Sequence, residues 1–182
     1  MAEKAIMTPE FRVSYPALFK PRANKKDDGT LGTPKYEITM LFPKGADLSK
    51  LKAAAQEAVK EKWGDKPPKS LRSPFRDQGE KEYEGYVEGA VFVSASSKQK
   101  PGLVDRQRQD IIDETEFYPG CYARATLRAF AYDNNGNKGV AFGLNNVQKL
   151  RDGDPLGGRT RAQDDFADDL PPDEGADSGS IF

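Results

Sequence analysis

Between Phe11 and Phe19 every second position is apolar or aromatic: Phe11, Val13, Tyr15, Ala17 and Phe19. This period of two predicts a half-buried strand over residues 10–19, and Pro16 inside it points to a sheet edge or a bulge. A turn-rich loop, KPRANKKDDGTLGTP, follows, then a second strand over 35–42 stopped by Pro43. The period changes over 47–63, where Leu48, Leu51, Ala55, Ala58, Val59 and Trp63 fall near helical spacing. Asp47 is the expected N-cap, and Gly64 with Pro67-Pro68 ends the helix. Residues 69–88 are irregular and polar, although Phe75, Tyr83 and Tyr86 lie among them. Strands resume at 89–97, at about 102–105, and as a pair over 117–132 and 138–149. The joining residues Asp133-Asn134-Asn135-Gly136-Asn137 tolerate positive φ, which makes them a strong hairpin signal.

One helix among about five short strands predicts a mainly β protein, a small five-stranded OB-type barrel with an inserted α-helix, with an open sandwich as the structural alternative. Residues 1–150 form the expected domain, 151–163 a Gly-rich linker and 164–182 a disordered acidic tail.

Charge sharpens this division. The chain of 182 residues has 28 Lys and Arg against 29 Asp and Glu, a net charge of −1. Seven of those acids lie from Asp164 onward, where no base occurs. Without them 22 acids face 28 bases, so residues 1–163 carry a charge of about +6.

Several chemistries are excluded or weakened. No histidine is present and Cys121 is the lone cysteine, so His-based triads, disulfides and Cys/His zinc sites cannot be built. Cys121, set among small apolar residues, is expected to be packed and inert. No phosphate-binding loop, dinucleotide fingerprint or hydrolase motif occurs. The acid pairs Asp110/Asp113 and Asp152/Asp154 could hold Mg²⁺ in a metal-dependent nuclease, but Asp-Gly-Asp-Pro reads first as turn chemistry. The reading is therefore non-enzymatic, with no cofactor and no metal. No apolar run approaches a membrane span and the N-terminus lacks a signal-peptide pattern, so a cytoplasmic protein is expected.

The most informative segment is Cys121–Tyr132. One face of this strand would carry Cys121, Ala123, Ala125, Leu127, Ala129 and Ala131, suited to a barrel interior. The other would carry Tyr122, Arg124, Thr126, Arg128, Phe130 and Tyr132, cations for phosphates and rings for unstacked bases. The competing reading is that these aromatics simply pack, as β-strand aromatics often do. Basic residues in loops beside strands add to the binding case: Lys20, Arg22, Lys25, Lys26, Arg72, Arg76, Lys98, Lys100, Arg106 and Arg108. Phe75, between Arg72 and Arg76, would stack on a base or else plug a surface hollow while its arginines pair with Asp77 and Glu80.

The tail, with Asp168 and Asp169 and an apolar Ile181-Phe182 end, reads as a docking peptide for a basic, hydrophobic pocket. It also reads as a competitor for the protein's own basic surface. A solubilising role would explain the acids but not the apolar end.

Three stretches carry a family resemblance: PFRDQGEKEYEGY, SASSKQKPGLVD and FYPGCYARATLRAFAYDNNGNKGVAFGLNNVQKLRDGDPLGGR. They resemble the single-stranded-DNA-binding proteins of tailed bacteriophages over roughly residues 8–160. The resemblance implies an OB-fold replication protein that coats single-stranded DNA with little sequence preference. It would act in the host-cell cytoplasm, with duplex DNA or RNA as weaker partners and a homodimer left open. The tail is similar to tails that recruit replication or recombination proteins. Its end, Gly179-Ser180-Ile181-Phe182, lacks the Asp-Asp-Pro neighbourhood of the bacterial tip.

Overall fold

The computed structural model describes residues 5–83, 85–156 and 166. The elements are β1 (Ile6–Met7), β2 (Phe11–Arg22), β3 (Lys35–Leu41), α1 (Ser49–Trp63), β4 (Arg76–Asp77), β5 (Val91–Ser97), β6 (Gly102–Val104), β7 (Tyr122–Asn134) and β8 (Asn137–Arg151). Five of these strands close a barrel in the order β2-β3-β5-β8-β7 and back to β2. All contacts around the ring are antiparallel except β5 with β8, which is parallel. This is the OB arrangement, with α1 inserted between the second and third barrel strands. β1, β4 and β6 are short additions pairing with β7, β5 and β8 respectively. No described helix is long and apolar enough to cross a membrane.

Barrel filling follows the pleat. Phe11, Val13, Ile38, Met40, Val93, Ala95 and Phe142 are all buried in one core cluster, as are Ala123, Ala125 and Leu127 of β7. The small β7 residues leave room for large ones from the facing strands. α1 adds Leu51, Ala55 and Ala58, the residues its apolar stripe predicts, and packs chiefly on β7. Its N-terminus differs from expectation by one residue. Leu48 occupies the cap position, while the Asp47 carboxylate accepts a hydrogen bond from the Ser49 amide at 3.1 Å. The expected strand from 117 also starts later, at Tyr122. Pro119 and Gly120, with φ of 113° at the glycine, make a turn first, and its tight approach to the Asp154 carbonyl leaves no room for a Cβ.

Among four register shifts in the ladders, two reset which residues point inward in the middle of the long strands. In β2, Ser14 faces Thr39 but Ala17 faces Glu37, so one extra residue sits on β2. The inward set therefore switches from Phe11 and Val13 to Leu18, and Tyr15 turns out to solvent with φ of 43°. The sequence pattern had put Tyr15 on the same face as Phe11. Pro16, which has no amide proton for the ladder, marks the place. In β8, Thr126 faces Asn146 while Leu127 faces Leu144, switching the inward set from Val147 to Leu144, Phe142 and Val140.

Residues 78–88, within the stretch that is irregular in sequence, are held to the barrel in large part by one buried side chain. Gln78 Nε2 donates to the Phe42 and Val91 carbonyls at 2.9 and 2.8 Å, and its Oε1 accepts from the Val87 amide at 2.9 Å. Truncating it leaves the buried Phe42 carbonyl and the part-buried Val87 amide without these bonds, while the Val91 carbonyl keeps the Phe42 amide at 3.0 Å; a buried group so orphaned costs about 1–3 kcal/mol. Gln78→Ala is expected to lower unfolding stability by about 2–4 kcal/mol in a urea titration; a loss under about 0.5 kcal/mol would show that the segment is held otherwise.

Candidate nucleic-acid interface

The barrel's outer face is built in rows, because residues opposite one another across a ladder share a face. Ala17 faces Glu37, Glu37 faces Ser96, Ser96 lies beside Gly143, and Gly143 faces Arg128. In the next row Ser14 faces Thr39 and Thr39 faces Ser94; extending the β5–β8 register by one residue sets Ser94 beside Ala141, which faces Phe130. Apart from Glu37, the middle of both rows is therefore small: Thr39, Ser94, Ser96, Ala141 and Gly143. This makes a low floor running across β3, β5 and β8.

Rings and cations border the floor. On the β7 side stand Arg124, Arg128, Phe130 and Tyr132; both arginines and Phe130 are exposed, Tyr132 half-buried. The Tyr132 hydroxyl reaches over Gly139, where a side chain would collide with it. Arg124 Nε donates to Gln148 Oε1 at 2.7 Å, which leaves its terminal amines toward solvent. On the other side a chain of rings runs from Tyr15 of β2 to Phe92 of β5. Tyr15 and Tyr83 meet edge to face at 5.6 Å, Tyr83 and Tyr86 at 5.3 Å, and Tyr86 tilts on Phe92 at 6.0 Å. Tyr86 Oη is hydrogen-bonded to Ser14 Oγ at 2.8 Å, and burial raises its pKa above the ordinary phenol value. Tyr15 and Tyr83 remain 49% and 48% exposed and Phe130 43%, so all three offer ring surface to a ligand.

Tyr15, Tyr83 and Tyr86 were not among the sequence-derived binding residues. Tyr83 and Tyr86 are visible as aromatics in KEYEGY, and Tyr15 precedes the proline that breaks a strand pattern. What joins them is a bulge and the long-range bonds of Gln78.

The sequence-derived residues divide by environment. Lys20, Lys25, Lys26, Lys98 and Lys100 are exposed in or beside loops, Lys25 on a small bridge to Leu31 and Lys100 over the Phe19 ring at 5.5 Å. Arg72 is exposed and its backbone bridges Gly139, beside Tyr132. Others are engaged within the protein. Phe75 is half-buried and packs edge-on against the core residue Phe142 at 5.8 Å. Arg76 holds Glu80 at 2.8 Å and lies over Phe92 at 5.1 Å. Tyr122 has the Arg151 guanidinium 3.8 Å from its ring centre and Arg12 at 5.9 Å. Arg22 pairs with Glu37 at 2.8 Å. Asp168, Asp169, Ile181 and Phe182 lie outside the described residues.

Two of the acids weighed for metal binding, Asp113 and Asp152, have other work. The Asp113 carboxylate accepts from the Thr115 amide and hydroxyl, which holds its pKa below the usual carboxylate range. Asp152 takes the Lys149 ammonium at 2.7 Å. Among the described residues no three acids, cysteines or histidines gather to hold a metal. Cys121 is fully buried, and burial pushes its thiol up to about 11.

A closed OB-type barrel whose outer face presents a low floor between rings and cations defines an oligonucleotide-binding protein of the OB class. The comparisons narrow the class. The family described as Enterobacter phage Enc34, ssDNA-binding protein, matches residues 4–177. Protein p50 of Acyrthosiphon pisum secondary endosymbiont phage 1 is 35% identical over 171 residues, covering 87% of this chain and 90% of that one. The single-stranded DNA-binding protein of bacteriophage Enc34, solved in complex with ssDNA, superposes with a TM-score of 0.69 at 27% identity, over 84% of this chain and 89% of that one. The fold is shared more distantly with gp2.5, a single-stranded DNA-binding protein encoded by bacteriophage T7, at a TM-score of 0.57 and 16% identity over 97% and 100% of the two chains. The chain belongs to the Enc34 phage single-stranded-DNA-binding protein family.

Proposed function

We propose that this protein coats single-stranded DNA without catalysis, laying the strand across the floor of β3, β5 and β8 between the Tyr15–Tyr83 and Phe130–Tyr132 rings. The observation that carries the reading is the floor itself. Small residues on three neighbouring strands leave space for a chain of unpaired nucleotides, while exposed rings at both borders offer faces for bases. Stacking on a ring is tolerant of base identity, because every base has a π-face. Arg124, Arg128, Arg72 and the loop lysines 20, 25, 26, 98 and 100 neutralise phosphates. A duplex hides its base faces, so it would meet only the cations and bind more weakly.

A fluorescent oligo(dT) titrated at several salt concentrations tests this. Binding is expected to weaken with salt, the log–log slope being about −0.7 for each phosphate neutralised. Tyr83→Ala and Phe130→Ala are each expected to cost about 1–3 kcal/mol with the slope unchanged. Arg124→Ala and Arg128→Ala should each flatten the slope by about 0.7. An absence of binding at low salt would overturn the proposal.

We also propose that residues 164–182 form a separate acidic unit that competes with DNA and docks replication or recombination proteins through Asp168, Asp169, Ile181 and Phe182. The charge asymmetry supports this. So does the end of the continuous described chain: Leu156 donates its amide to the Pro119 carbonyl at 2.8 Å and its side chain fills the space above Gly85, next to Tyr86. Deleting 164–182 should tighten oligo(dT) binding roughly tenfold at low salt and progressively less as salt rises. Unchanged affinity at low salt would remove the self-competition.

A further inference from the structure

Arg22 stands among the cations that the sequence assigns to phosphate, yet the fold uses it otherwise. Its Nε donates to Glu37 Oε1 at 2.8 Å, its Nη2 lies 2.8 Å from the same oxygen, and Nη2 also donates to the Tyr15 carbonyl at 3.1 Å. One guanidinium thus ties together two features of the candidate interface. The first is the bulge that turns Tyr15 outward. Tyr15 adopts a positive φ of 43°, a region where a bulky side chain is a true outlier and persists only when its surroundings enforce it. The second is Glu37, an acid lying in the same row as Ser96, Gly143 and Arg128. Bare, that carboxylate would repel a phosphate chain crossing the floor.

We infer that Arg22 is a positioning residue, which fixes the Tyr15 bulge and cancels the Glu37 charge while contacting no phosphate itself. The inference rests on the reading that Tyr15 stacks on a base. Its chemistry needs a planar fork rather than a positive charge alone. Arginine presents several donors in fixed directions, so it can serve the carboxylate and the carbonyl together; lysine is a compact point charge on a flexible stem. A phosphate contact, in contrast, tolerates lysine well.

Oligo(dT) titrations over a range of salt with four variants separate these roles: Tyr15→Ala, Arg22→Lys, the charge-neutral double Arg22→Gln/Glu37→Gln, and that double combined with Tyr15→Ala. Tyr15→Ala is expected to weaken binding roughly tenfold, within the range for losing one stacked base. Arg22→Lys should lose nearly as much, with an unchanged salt slope although the charge is kept. The double variant should also keep the slope, and adding Tyr15→Ala to it should cost little more, because the two changes remove one shared interaction. Wild-type binding by Arg22→Lys beside a weakened Tyr15→Ala would overturn this inference alone. So would a slope flattened by about 0.7 in the double variant, or fully additive losses. Wild-type binding by Tyr15→Ala would instead overturn the stacking reading and this inference with it.

Discussion

Closure of the barrel is the constraint on which the rest depends. β8 pairs in parallel with β5 and antiparallel with β7, and β7 returns to β2 through Phe11 and Arg12. Once the ring is closed, the pleat leaves each side chain one of two destinations. Small residues of β7 go inward against Phe11, Phe142 and Leu51, and its arginines and rings must go outward. Closure also turns residues remote in sequence, such as Glu37, Ser96 and Gly143, into neighbours on one surface. The interface is therefore the outer half of a pattern whose inner half is the hydrophobic core.

Two local departures from regularity shape that surface. The β8 bulge keeps Val147 and Leu144 both inside, so the strand continues to fill the barrel past Asn145. The β2 bulge does the reverse for Tyr15, taking it from the inward pattern into solvent beside Tyr83. A backbone in this region costs of order 1–3 kcal/mol, which the bonds from Arg22 help to offset. Such strain is retained where the displaced side chain is useful. Gln78 has the complementary role, turning a polar loop into a fixed cover that carries Tyr83 and Tyr86.

The fold was largely legible in the sequence, for a physical reason. β7 keeps strict alternation with alanine at most inward positions, so its two faces separate on reading, and Asn135-Gly136 announces the hairpin. α1 declares itself through Leu51, Ala55 and Ala58. Strand ends and bulges were less legible, since a single extra residue at Tyr15 reverses every inward assignment after it. Half of the candidate interface was legible too, in the β7 face and the loop lysines. The other half was not, because Tyr83 and Tyr86 reach their places through Gln78, whose acceptors lie 36 and 13 residues away. Nor does sequence reveal that Arg22 and Tyr122 already have partners inside the protein, although the pairing of Arg76 with Glu80 is one of the two readings it offers. The resemblance to phage proteins identified the family without assigning any of these contacts.

Photo-crosslinking traces the path of the strand across the barrel. Oligonucleotides carrying bromodeoxyuridine, irradiated in complex with the full chain and mapped by mass spectrometry, should attach to Tyr15 or Tyr83 on one border and Phe130 or Tyr132 on the other. Crosslinks confined to Trp63 of α1 or to the Ile111–Phe117 segment, with none at either border, would contradict the account.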